Sequence, residues 1–173
     1  MSPDHRDAYA TDSVLGVVYR IHLADGAVSV WAQDDTLEAR GFLGANGIKV
    51  HDGGVWVSNL DQGTVVRIPV RAHGKAGTPV VTASGLTGID DFAFTRHGDT
   101  LVAALNQPNT VQVVTPGSRR SASLGSHATA LTAADGLQGP TAIAIDGSTV
   151  YVPSAAYNTQ QDPDLITAHL AGR

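Results

Sequence analysis

An all-β fold made of repeated antiparallel hairpins is what this sequence predicts, on three observations. Short runs rich in Val, Ile, Thr and aromatic residues are separated by 19 Gly and 8 Pro. Residues of the first kind suit a pleated, half-buried surface, and Gly and Pro punctuate it. No long amphipathic helix with caps interrupts these runs. The hairpins also recur at intervals of about 45 residues, and units of that length built only from short strands are the signature of propeller blades.

The hairpins follow in order along the chain. Val17 to Leu23 reads as a strand, Ala24-Asp25-Gly26 as a turn, and Ala27 to Trp31 as the returning strand. An Asp-Gly between two such runs signals a hairpin because the turn needs positive φ. Gly47 to Val50 and Val55 to Ser58 flank Asp52-Gly53-Gly54. Phe92 to Phe94 and Thr100 to Ala103 flank His97-Gly98-Asp99, and Ala142 to Ile145 and Thr149 to Val152 flank Asp146-Gly147-Ser148. The Ser/Ala-rich stretch from Ser118 to Ala134 reads either way. Leu165 to Leu170, after Asp162-Pro163-Asp164, reads either as a short capped helix or as a strand.

Two repeat registers support the blades. Tyr9 to Ile21 lies on Trp56 to Ile68 at an offset of 47 without a gap, matching Asp12 with Asn59, Gly16 with Gly63 and Arg20 with Arg67. Gly44 to Val50 lies on Gly88 to Phe94 at an offset of 44, and the latter on Gly139 to Ile145 at 51, so Asn46, Asp90 and Thr141 are equivalent. The predicted architecture is a single incomplete propeller domain of about three to three and a half four-stranded blades. It divides into the end of one blade at 1–43, blades at 44–87 and 88–138, and a partial blade at 139–173, about 13 strands in all. Known propellers have roughly 4–8 blades. The chain is therefore expected either to close a ring with another copy or another protein (two copies of three blades making six), or to be a piece of a longer parent.

Composition narrows the function. Eleven Lys and Arg against 16 Asp and Glu leave a net charge of −5, which argues against nucleic-acid and anionic-membrane surfaces because both need a basic patch. No apolar run approaches the ~20 residues that span a bilayer. The absence of Cys excludes a disulfide framework, a thiol nucleophile and Cys-ligated zinc. Met1 to Asp7 has no apolar core of a signal peptide, so a cytoplasmic location is expected. The seven His show no zinc-binding spacing. No Gly-x-Ser-x-Gly or phosphate-binding Gly motif occurs either.

The repeats resemble the SMP-30/gluconolactonase/LRE-like family of six-bladed, TolB-like propellers. The resemblance rests on Ala45-Asn46-Gly47-Ile48, similar to the family's Asn-Gly motif, and on Ile89-Asp90-Asp91-Phe92, similar to its Pro-Asp-Gly motif. Gly16-Val17-Val18-Tyr19-Arg20-Ile21 and Gly63-Thr64-Val65-Val66-Arg67-Ile68 match its outer-strand pattern. The resemblance corresponds to the C-terminal half, or somewhat more, of a family member. It implies a divalent-metal-dependent sugar-lactone hydrolase. A single Ca²⁺, Mn²⁺, Mg²⁺ or Zn²⁺ would be held by Asn46 and Asp90, with Asp90 also the catalytic base candidate. Ile89 and Asp91 stand where the family has Pro and Gly, and the family's first-blade Glu has no counterpart. The alternative is a non-catalytic propeller segment for binding or assembly, or a truncated product without independent activity.

The same residues carry plainer readings. Asn46-Gly47 also reads as a turn before a strand. Of Asp90 and Asp91, one is expected to face the channel and the other a loop. Asp12 and Asn59 are expected to bond backbone turns, and Thr141 to bond at its strand start. Arg20 and Arg67 are expected to pack and pair structurally on outer strands, Trp31 and Trp56 to pack between blades, and His51, His73 and His97 to be solvated.

Overall fold

Four antiparallel sheets, each made of consecutive strands, form the computed structural model of the chain, which describes Ser2 and residues 5–118, 124–157 and 159–170. The first sheet joins β1 (Asp7–Asp12), β2 (Val17–His22) and β3 (Val28–Gln33). The second joins β4 (Ala45–His51), β5 (Gly54–Asn59), β6 (Thr64–Pro69) and β7 (Val80–Ala83). The third joins β8 (Ile89–Phe94), β9 (Leu101–Leu105), β10 (Thr110–Thr115) and β11 (Ser126–Leu131). The fourth joins β12 (Ala144–Asp146), β13 (Thr149–Ser154) and β14 (Asp164–His169). Inner strands lie side by side, β4 against β8 and β8 against β12. This is a partial β-propeller. Among the described residues the helical structure is two 3₁₀ turns, Ala72–Gly74 and Ala133–Asp135, and no helix is long and apolar enough to cross a membrane.

Alternation along the second strand of each blade explains the stacking. Successive side chains of a strand point to opposite faces. Val55 and Val57 of β5 face one core with Val18, Leu37 and Ile68, whereas Trp56 faces the next with Phe92, Leu101 and Leu105. Val102 and Ala104 of β9 face a third core with Leu137, Ile143 and Val152. Both faces of β5 and β9 are buried, so these strands are apolar nearly throughout. Trp56 is fully buried, donates from its indole N–H to His51 O at 3.1 Å and carries the Arg67 guanidinium 5.8 Å above its ring. Trp56→Ala is expected to cost about 3–5 kcal/mol, read as a lowered denaturant midpoint with the slope of the transition unchanged. The Asp52-Gly53 turn takes the form its sequence asks for. His51 pairs with Gly54, and the two turn residues have φ of 42° and 66°, the twist that a two-residue hairpin requires.

Two expectations need correction, and one open reading is decided. The described residues hold 14 strands, one more than the hairpins predicted. The addition is β1, which has no continuous apolar run but pairs with β2 from Asp7↔His22 to Asp12↔Val17; pairing decides strand identity more than propensity does. The chain therefore carries four sheets of three or four strands, in keeping with about three and a half four-stranded blades. Of the two readings open for Leu165 to Leu170, the strand is the one formed, as part of β14, because β13 offers it a full antiparallel ladder. His51 is not simply solvated. It stacks on Phe94 at 3.9 Å between ring centroids, with Nε2 3.2 Å from Asp99 Oδ1. His73 and His97 are exposed, as expected.

Candidate functional site

Asn46 and Asp90 sit at matching β-bulges on neighbouring inner strands. In the second sheet the register slips by one residue between Ala45 and Ile48; in the third it slips between Ile89 and Asp91. A bulge bends the strand and re-aims the extra side chain. The repeat thus encodes two bulges, and the adjacency of β4 and β8 brings them together. Asn46 Nδ2 donates to Asp90 Oδ1 at 2.8 Å. Asn46-Gly47 is therefore part of β4 and not a turn, and neither residue has positive φ.

Gly47 is required by the approach of β8. A Cβ at this position would lie 2.6 Å from Asp91 Oδ1, 2.8 Å from Asp90 O and 2.8 Å from Asp91 Cα. Ser58 fastens the same junction: its Oγ accepts from Gly47 N at 2.8 Å and donates to Asp90 O at 2.8 Å. Asp91 does not face a loop. Its Oδ1 pairs with Lys49 Nζ on β4 at 2.5 Å, and its Oδ2 accepts from Ile143 N of the last blade at 3.5 Å. Asp91 thus ties three blades together, leaving Asp90 as the carboxylate that lines the cleft.

Burial, and then the charge of Asp91, push the Asp90 carboxyl up to about 6, although the Asn46 hydrogen bond opposes them. A carboxylate tuned towards neutrality in a cleft is a functional candidate on physical grounds. The cleft has a volume of about 490 Å³ and is lined by Phe42, Leu43, Leu60, Asn106, Gln107 and Tyr157 besides Asn46 and Asp90. Planar polar groups and apolar walls in one concavity are the usual composition of a small-molecule site.

Other sequence candidates lie elsewhere. Asp12 Oδ1 accepts from Val14 N and Leu15 N, and Asn59 bonds Gln62 N, Thr36 O and Glu38 O, so both serve backbone turns. Thr141, the third repeat equivalent, bonds Pro153 O through its N–H at 3.0 Å and its hydroxyl at 3.4 Å. Sequence reasoning missed Phe42, Asn106, Gln107 and Tyr157. Phe42 and Tyr157 lie in connections outside the repeat and carry no sequence signal. Asn106 and Gln107 were findable: Gly63 and Asn109 are both left-handed, and aligning them sets Leu60 on Asn106.

No protein-family model and no characterised protein matches the chain. Solved structures do resemble it. A functionally unknown protein from Desulfotomaculum acetoxidans DSM 771 superposes with a TM-score of 0.62 at 18% identity, over 89% of this chain and 47% of that one. A luciferin-regenerating enzyme superposes at 0.62 and 17%, over 92% and 53%. An auxiliary nutrient binding protein from Bacteroides thetaiotaomicron superposes at 0.54 and 12%, over 84% and 42%. The chain thus spans about half the length of these structures. At such identities the likeness carries the fold alone.

Proposed function

We propose that the cleft is the ligand site of an SMP-30/gluconolactonase/LRE-like propeller and that it hydrolyses a sugar lactone beside a hard divalent cation. The observation that carries this reading is the 2.8 Å pairing of Asn46 with Asp90 in a cleft of about 490 Å³. The fold-level likeness to a luciferin-regenerating enzyme supports it.

The donor set fits a weakly held hard cation. An amide oxygen and a carboxylate suit Ca²⁺, Mg²⁺ or Mn²⁺ better than Zn²⁺. Among the described residues no cluster of three His, Cys, Asp or Glu adds to them. The remaining oxygens would come from water and from the substrate. When bound, such a cation polarises the lactone carbonyl and acidifies water.

The chain's own residues supply the rest. Asn46 orients the carboxyl through Oδ1, leaving Asp90 Oδ2 to take the proton that a water loses as it adds to the carbonyl carbon. The ring C–O bond breaks, and the departing ring oxygen takes back the proton held by Asp90, which returns the carboxylate to its starting state.

The test is lactone hydrolysis with Ca²⁺, Mn²⁺, Mg²⁺ or Zn²⁺ added in turn. The rate is expected to depend on the cation and to vanish in Asp90→Ala; equal rates in wild type and variant would remove Asp90 from the mechanism. One observation favours a second reading, a binding or assembly segment without catalysis. β14 has a single partner strand, β13, and exposes Leu165, and an open sheet edge is a template for association.

A further inference from the structure

The rim of the cleft carries two large side chains that the fold leaves in water. Phe42 is 71% exposed and Tyr157 66% exposed, and both line the cleft with Asn46 and Asp90. A lone exposed Phe needs no explanation, but this one is held in place. The consecutive N–H groups of Arg40, Gly41 and Phe42 all donate to Asp61 Oδ2, at 2.9, 2.8 and 2.7 Å. Burial pushes the Asp61 carboxyl up, but backbone N–H groups of Phe42, Arg40, Leu43 and Gly41 outweigh it and hold the group below its ordinary range. The acceptor is thus ionised at neutral pH, and its hydrogen bonds are of the stronger, charge-assisted kind.

Two neighbours from the same β5–β6 turn secure the rest of the connection. Asn59 Nδ2 donates to Thr36 O and Glu38 O, and Gln62 Nε2 donates to Asp35 O and Glu38 O. Asp61 is not part of the repeated framework. The left-handed residue after the second strand is Gly16, Gly63 or Asn109 in successive blades, and two positions before it stand Val14, Asp61 and Gln107. The carboxylate occurs where the connection reaches the cleft.

We propose that Phe42 is a specificity-determining contact of the cleft, stacking with Tyr157 on the apolar face of a sugar ring, and that Asp61 is the residue that positions it. This rests on reading the cleft as a sugar-lactone site. The side-chain amides of Asn106 and Gln107 match ring hydroxyls, and the aromatic rim matches the C–H face. Together they select a ring with one polar edge over an open-chain ester of similar size.

The experiment uses the full chain with Mn²⁺, a six-carbon aldonolactone and an open-chain methyl ester as probes. Phe42→Ala is expected to raise KM for the lactone about 10-fold, with kcat changed far less and a smaller rise in KM for the open-chain ester. Asp61→Ala should give the same split, and Asp61→Asn, which keeps an oxygen acceptor, should recover part of it. Phe42→Trp supplies a readout without turnover: the added indole should respond to the lactone, and its fluorescence anisotropy should fall when Asp61→Ala is combined with it. If Phe42→Ala leaves KM unchanged while Asp90→Ala is inactive, the rim assignment is overturned and the reading of the site stands. If the wild type neither turns over the lactone nor shows an indole response in Phe42→Trp, both are overturned.

Discussion

Gly47→Ala should lower the stability of the protein by about 2–3 kcal/mol, a fall in Tm on the order of 5–10 °C for a domain of this size. The added methyl would meet the backbone of Asp90 and Asp91 at 2.8 Å, and backbone cannot swing aside as a long side chain does. β4 and β8 must then separate by several tenths of an ångström. That separation also loosens the Asn46–Asp90 bond, both Ser58 bonds and the Lys49–Asp91 pair, so cleft and core fail together. Gly98→Ala is the control: it has positive φ but nothing within 4 Å of its added Cβ, and about 1 kcal/mol is the expected cost. Thermal unfolding followed by circular dichroism compares the two, and equal losses would mean that the inner strands are not in contact at this junction.

Asp90→Asn should have opposite effects on stability and activity. With its pKa raised to about 6 by burial and Asp91, native Asp90 holds its proton more tightly than the unfolded chain does. Folding then takes up a proton between the ordinary carboxylate range and pH 6. The stability present at low pH is lost as pH rises through that window and stays level above it. The amide removes this loss. Discounted for the solvent that reaches the group, the gain above pH 6 is about 1 kcal/mol, or 2–4 °C in Tm, and it disappears near pH 4. Hydrolysis should be abolished, since the amide accepts no proton and offers no charge to a cation. Unfolding midpoints across pH 4–8 test the first effect; a variant with no gain above pH 6 would show that Asp90 is not held against burial. Turnover of an aldonolactone tests the second.

The legible and illegible parts of this molecule divide at the repeat. Hairpins and the equivalence of Asn46 with Asp90 were legible because each blade repeats the same local problem. A second strand buried on both faces must be apolar, and a left-handed turn must be Gly or Asn. Asn46 and Asp90 hold equivalent places 44 residues apart, so one offset brings them together. The His51–Phe94 stack and the three-blade tie of Asp91 were not legible, because they depend on which inner strand lies beside which.

From the chain alone came an all-β set of wedges and the equivalence of Asn46 with Asp90. Only the tertiary structure decided what surrounds them. Phe42, Asn106, Gln107 and Tyr157 reach the cleft from separate connections, and the carboxylate that fixes Phe42 lies on yet another turn. Periodicity records which face of a strand is buried, since burial acts at every second residue. It holds no record of connections that meet only after the blades have packed, where position is set by long-range contacts and not by local pattern.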